Sequence, residues 1–184
     1  MPSTRDIRRR IKSVKNTSQI TKAMEKVAQA KMAKAQQAAI AGRSYADLMN
    51  RVLAEVVTNA GDFDHPFMEN RGGKKRALIL VTTDKGLCGA LNTNLLRKVS
   101  DEFVDEETQI ISAGRKGAQH SIRTGWDLTA EFSYGDPPVI AEARAITKAA
   151  VDLFEKGEVD HVDIGFTNFI NTISQKPEVQ TLLA

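Results

Sequence analysis

The sequence predicts an α/β protein in two parts: a long N-terminal coiled-coil helix, then a Rossmann-like α/β/α domain with a mainly parallel sheet. Three observations carry that expectation. Charge is segregated along the 184 residues: positions 1–60 hold 12 basic and 4 acidic residues (net +8), and the rest hold 14 and 19 (net −5). Between Thr4 and Asn59 there is no proline and a single glycine, Gly42, in a stretch rich in Ala, Lys, Gln, Met, Arg and Leu. Beyond residue 75, short apolar runs alternate with helical patterns, the signature of parallel strands joined by helical crossovers. The expected units are a shaft helix over 1–60, a linker over 61–75 and an α/β domain over 76–184.

The helix begins at Ser3 or Thr4, either of which can cap it, with Asp6 in the first turn at the positive end of the helix dipole. Asp6→Arg10 and Asp47→Arg51 are spaced as acid-first i,i+4 pairs. Asn59-Ala60-Gly61-Asp62, followed by His65-Pro66, supplies the stop. About 55 residues at ~1.5 Å each make a rod of ~80 Å, longer than any ordinary core.

At ~100° per residue, Ile20, Met24, Val27, Ala35, Ala38, Gly42, Tyr45, Met49, Val52 and Val56 fall on one stripe. From Ala35 onward the steps alternate between three and four, the spacing of a left-handed coiled-coil seam. Ala35, Ala38 and Gly42 leave room for a partner backbone, whereas Lys31 and Lys34 interrupt the stripe. Ile7, Ile11 and Val14 lie on another face. A further stripe gathers Arg5, Arg8, Lys12, Lys15, Lys22 and Lys26. It reads either as a solvated basic face or as a surface for an acidic partner or nucleic acid. No aromatic interleaving supports base stacking. Residues 139–156, the only other strong helix, are about a third as long, so the seam's partner is expected outside this sequence.

In the second part, Arg76–Thr83 reads as a strand buried on both faces, followed by a Gly-bearing loop over Asp84–Asn92 and a helix from Thr93 to about Phe103. Thr108–Ala113 is a second strand, 115–124 a short helix and Leu128–Ser133 a third strand. The helix over 138–156 opens with proline and stops before Gly157. Val159–Ile173 reads as one long strand, with Val162, Ile164 and Phe166 on one face and His161 a plain surface histidine. Trp126 and Phe132 read as core.

Composition and motif content narrow the function. One cysteine, Cys88, excludes a disulfide framework and a zinc cluster, and no apolar run reaches the ~20 residues of a membrane span. Asp6 interrupts the Arg-rich start, so the N-terminus reads as mature protein and not as a transit peptide. Asp84-x-Gly86-x-x-Gly89 is neither a dinucleotide nor a P-loop fingerprint, and Asp84 would repel a phosphate, so the loop reads as a structural tight turn. His65, His120 and His161 have no ligand spacing, and Cys88 lacks an adjacent catalytic arrangement. No catalytic, cofactor or metal site is expected. Two rival readings remain: a nucleic-acid-binding protein acting through the basic helix, and a nucleotide-binding α/β enzyme.

Three motifs in order then point to a family. Arg8-Arg-Arg-Ile-Lys-Ser-Val-Lys-Asn-Thr17 with Ile20-Thr-Lys-Ala-Met-Glu-Lys-Val-Ala-Gln-Ala-Lys31 resembles the N-terminal helix of the gamma subunit of F-type ATP synthases. Thr83-Asp-Lys-Gly-Leu-Cys-Gly-Ala-Leu-Asn92 resembles that family's D-[RK]-G-L-C-G loop, and Phe166–Pro177 its strand near the end of the α/β domain. The resemblance implies a rotor shaft, in which N- and C-terminal helices coil together inside a ring of three α and three β subunits. The α/β domain then meets the epsilon subunit and the membrane ring of c subunits, and proton flow turns the shaft so that its uneven face drives the β sites to form ATP.

The same resemblance implies a non-catalytic subunit that holds no cofactor, binds no nucleic acid and sits peripherally on the cytoplasmic face of the bacterial inner membrane. By position it places Lys22, Met24 and Lys26 against the acidic lever region of β. Arg8, Arg9 and Arg10, with Ile7 and Ile11, would sit deep in the central cavity. The loop holding Asp84, Lys85, Gly86 and Cys88 would face the base of β. The family's second long helix has no counterpart here, so a partial or truncated gamma subunit is expected. No inserted cysteine pair is present, so thiol control of the chloroplast kind is not expected.

Overall fold

The computed structural model describes residues 3–59, 65–69, 71–103 and 107–184. They fall into two compact units, residues 1–61 and 62–184.

The first unit is a single helix, α1 (Thr4–Asn59), of 56 residues. Its start is a reciprocal cap: the Asp6 backbone N–H donates to Ser3 Oγ, and the Asp6 carboxylate accepts from the Ser3 N–H at 3.1 Å and hydroxyl at 2.8 Å. At the other end the Asn59 amide and the Thr58 hydroxyl donate back to the carbonyls of Glu55 and Ala54. The stop residues Ala60, Gly61 and Asp62 lie outside the described residues. No described residue of α1 is buried, and only Gln36 is even half-buried.

The second unit is built on β1 (Arg76–Val81), α2 (Leu91–Glu102), β2 (Thr108–Ala113), α3 (Arg115–Thr124), β3 (Asp127–Phe132), α4 (Ile140–Glu155), β4 (His161–Phe169) and β5 (Gln175–Leu183). The sheet order is β3-β2-β1-β4-β5. β1 pairs in parallel with β2 and β4, β2 in parallel with β3, and β4 antiparallel with β5. Because β2 and β3 step one way from β1 and β4 steps the other, crossovers of one hand put the helices on opposite faces. Leu78, Leu80 and Ile110 meet Leu95, Leu96 and Val99 of α2 on one face. Ala77, Ile79 and Ile111 meet Ile146, Ala150 and Phe154 of α4 on the other. The buried Gly117 brings α3 against Ser112 and Leu80, on the α2 side. β1 is therefore covered twice, which is why it is apolar at every position from 77 to 81. Trp126 and Phe132 pack against the two cores as expected.

Three expectations are corrected. The strand expected over Val159–Ile173 is a hairpin: β4 ends at Phe169, and the Asn171 side chain accepts from the N–H groups of Ile173 (2.9 Å) and Ser174 (2.8 Å), turning the chain without glycine or proline. β1 stops at Val81, not Thr83, because Thr82 and Thr83 turn to hold the following loop. His161 is not a plain surface residue; it is half-buried, with Nε2 3.0 Å from the Gly73 carbonyl. The described residues of the expected linker, 65–69 and 71–75, pack on this unit. Phe67 packs on the α4-side core, and the Arg71 guanidinium lies 4.0 Å over the Phe154 ring while donating to the Phe154 carbonyl.

The hairpin is tied to the centre of the sheet by a buried charge. Asp163 on β4 is 1% exposed. It accepts from Arg76 Nη1 of β1 at 2.9 Å and from the Thr181 hydroxyl of β5 at 2.7 Å. One carboxylate thus joins three strands and satisfies both of its oxygens.

Candidate partner-binding surfaces

Helix α1 presents three faces. The seam residues Ile20, Val27, Ala35, Ala38, Gly42, Tyr45, Met49, Val52 and Val56, with Met24, are all exposed. Apolar side chains at coiled-coil spacing with no cover leave several hundred Å² of surface that folding of this unit does not bury. Near the N-terminus Ile7, Ile11 and Val14 form a shallow apolar strip with Arg10 and Lys15 at its sides. Arg8, Arg9, Lys22 and Lys26 are also exposed.

The second surface is the loop between β1 and α2. It is held by side chains rather than by regular structure. Asn92, in the first turn of α2, accepts from the Thr83 N–H (3.2 Å), donates to the Thr83 hydroxyl (2.8 Å) and reaches Cys88 Sγ (3.4 Å). The Thr83 hydroxyl in turn donates to the Lys85 carbonyl at 2.6 Å. On the other side, the first three N–H groups of α3 are all taken by this segment. Arg115 donates to Asp84 Oδ1 (2.9 Å), Lys116 to the Thr83 carbonyl (3.0 Å) and Gly117 to the Thr82 hydroxyl (2.8 Å). Helix starts of this kind hold phosphates in doubly wound folds. Here Asp84 and two threonines fill that role for α3.

The result is a rigid turn whose tip projects. Asp84 and Cys88 are half-buried, whereas Lys85 and Gly86 are exposed. Leu87, with φ of +63°, is fully exposed, and Gly89 shares its left-handed backbone at +60°. The sequence reading named Asp84, Lys85, Gly86 and Cys88 and passed over Leu87; its signal was a large apolar residue set inside a glycine-flanked turn. Tyr134 closes the base of the loop by donating to the Thr82 carbonyl. Burial, and then the nearby Asp84 charge, hold its phenol above the usual tyrosine range.

The β4–β5 hairpin faces the loop from the same, C-terminal edge of the sheet. A cavity of about 160 Å³ separates Cys88, Leu91 and Asn94 from Thr167, Gln175 and Pro177. At its turn Ile173 is 95% exposed. Among the described residues no group of three or more His, Cys, Asp or Glu could hold a metal ion. None of the helices among them is long and apolar enough to cross a membrane.

Comparison with known proteins agrees with this arrangement of helix and sheet. A family model described as ATP synthase matches residues 3–184. The ATP synthase gamma chain of Opitutus terrae is 50% identical over 183 residues, covering 100% of this chain and 62% of that protein. The gamma chain of Cupriavidus necator is 43% identical, over 100% of this chain and 65% of its own length. The present chain thus spans less than two thirds of these curated relatives. Among solved structures, the central stalk and c-ring of Tetrahymena thermophila mitochondrial ATP synthase contains a chain that matches with a TM-score of 0.69 at 25% identity, over 89% of this chain and 72% of that one. A chain of the Euglena gracilis mitochondrial ATP synthase rotor matches with a TM-score of 0.54 at 21% identity, over 96% of this chain and 61% of that one, a likeness of fold alone.

Proposed function

We propose, because the chain belongs to the ATP synthase gamma-chain family, that it serves in the central stalk of a proton-translocating ATP synthase and transmits torque between the membrane c-ring and the catalytic β subunits. One observation carries the reading: α1 runs for 56 residues without a buried side chain, yet bears an apolar seam at coiled-coil spacing. Such a helix is incomplete by itself and needs a long partner. Its faces differ, with basic residues on one side, the seam on another and the Ile7–Ile11–Val14 strip on a third. A rod with unlike faces, turned inside a ring, offers each surrounding subunit a different surface in succession. That asymmetry converts rotation into sequential change of site affinity.

In this reading the chain catalyses nothing itself. Lys22, Met24 and Lys26 meet the acidic lever region of β, and Arg8, Arg9 and Arg10, with Ile7 and Ile11, lie within the central cavity of the head. The loop with Asp84, Lys85, Gly86 and Cys88 faces the base of β. The α/β unit contacts epsilon and the c-ring, at the cytoplasmic face of a bacterial inner membrane. The bacterial origin of the similar gamma chains supports that location.

The test is assembly. The chain, with a peptide supplying the C-terminal part of the Opitutus terrae gamma chain, is mixed with the α and β subunits of that organism's enzyme and sized by chromatography. Co-elution as a defined complex, with ATP-driven rotation, is the expected result. Elution apart from α and β at all salt concentrations overturns the reading. If the chain instead binds nucleic acid with a steep fall in affinity against salt, the basic stripe belongs to the rival function.

A further inference from the structure

We propose that the cavity where α2 and α3 end is a binding site for small aryl-alkyl ammonium ions, a function separate from the stalk reading above. The cavity holds about 470 Å³, and its walls include Val99, Phe103, Thr108, Ile110, Trp126 and Asp127. Two aromatic rings and two aliphatic side chains offer a surface for an aryl body, and the rings also attract a cation held against them. Trp126 is fixed in place. Its backbone N–H donates to the Ser121 carbonyl at 2.9 Å, it packs on the α2-side core, and the His120 ring meets it edge-on with centroids 5.0 Å apart. Among the described residues the Thr108 hydroxyl oxygen is buried and has no hydrogen-bond partner, so a donor entering beside it would answer a group that folding leaves unsatisfied.

The charge around the cavity sets the sign of the ligand. Asp127 is its charged lining residue, and Asp101, Glu102 and Glu107 stand exposed beside the lining residues in sequence. Both helices finish here, α2 at Glu102 and α3 at Thr124, so the negative ends of two helix dipoles lie at one place. The nearby cations are already engaged. Lys98 pairs with Glu102 at 3.4 Å, and Arg123 lies 3.2 Å from the His120 ring. Arg76, whose guanidinium stands 5.6 Å from the Phe103 ring centroid, is bridged to Asp163. A carboxylate ligand would meet Asp127 and both dipole ends, and a neutral hydrocarbon would leave Asp127 and Thr108 unanswered. A primary ammonium on an aryl-alkyl body meets all of them: N–H groups for Asp127 and Thr108, a charge for the rings and an apolar body for Val99 and Ile110.

The probe is 2-phenylethylammonium, titrated into the full chain while the fluorescence of Trp126, its sole tryptophan, is followed. A saturable change at millimolar concentration or below, with a rise in melting temperature, is the expected result. Phenylacetate and 2-phenylethanol, of similar size but anionic and neutral, are expected to give no saturable change in that range. Asp127→Asn, at an exposed position, is expected to leave melting unchanged and to weaken binding about fivefold. Thr108→Val keeps the shape of the side chain; it is expected to melt at or above the unsubstituted chain and to bind about threefold more weakly. No saturable response to 2-phenylethylammonium overturns the site. An equal response to 2-phenylethanol or phenylacetate, or unchanged affinity in D127N, overturns it as an ammonium site. Each of these outcomes leaves the stalk reading intact.

Discussion

Replacing Asp163 by alanine tests the claim that one buried carboxylate fastens the hairpin to the sheet. Its side chain is 2% exposed and that of Arg76 23%. Removing one partner of a buried pair costs ~3–5 kcal/mol, and the remaining access of Arg76 to water argues for the low end, about 3 kcal/mol. The Thr181 hydroxyl loses its acceptor as well. Unit 62–184 has 123 residues, and at ~2.1 cal/mol/K of unfolding entropy per residue, 3 kcal/mol lowers the melting midpoint by about 12 °C. Trp126, the sole tryptophan, lies in this unit, so its fluorescence follows the α/β fold without interference from α1. Thr181→Val, which removes only the neutral donor, is expected to cost ~1 kcal/mol, or about 4 °C. The Arg76→Met/Asp163→Leu double variant is expected to recover most of the loss, since both charges leave together. An Asp163→Ala shift no larger than that of Thr181→Val would refute the reasoning and reduce the pair to a surface-like contact.

Three further outcomes are expected. Tyr134 has a raised pKa, so the unfolded chain ionises first. The stability it contributes is complete below the unfolded value of pH ~10 and is lost as pH rises from there through the higher folded value. Melting between pH 8 and 11 should therefore fall more steeply for the unsubstituted chain than for Tyr134→Phe. Gly114→Ala should lower the Trp126-reported midpoint by at least ~10 °C, or abolish folding, because φ is +107° and the new Cβ would stand 2.1 Å from the Thr82 carbonyl oxygen. Met24→Lys should leave folding unchanged within ~0.5 kcal/mol, since Met24 is 61% exposed, yet reduce ATP-driven rotation of the assembled complex. Rotation equal to that of the unsubstituted chain would count against Met24 as a contact with β.

Much of the architecture was legible because it follows from periodicity. The apolar run from Ala77 to Val81 suits a strand covered on both faces, and the limits Thr108–Ala113 and Arg115–Thr124 coincide with what sequence spacing implies. The hairpin was not legible. Ile170, Thr172 and Ile173 keep the β-branched character of a strand, and the turn rests on local hydrogen bonds to the Asn171 side chain, with no Gly or Pro beside it to mark the reversal. Nor were the long-range pairings: Asp84 finds the first N–H of α3 thirty-one residues away, and Asp163 finds Arg76 on the neighbouring strand, 87 residues away in sequence. Local patterning reports which residues are apolar. It does not report which distant donor a carboxylate will meet. Nor does it report that Leu87 stands fully exposed on a left-handed backbone.

The antiparallel return of β5 has a topological consequence. Arg76 sits opposite His161 in the β1–β4 pair, and Leu183 sits opposite the neighbouring Val162 in the β4–β5 pair. The chain therefore joins the sheet and leaves it at the same end, two strand spacings or about 10 Å apart. A sheet ending on its fourth parallel strand would release the chain at the far end instead. The hairpin therefore brings the first residue of β1 and the last residues of β5 to one edge of this unit, so that both ends of the sheet's path are held by the same row of strand ends.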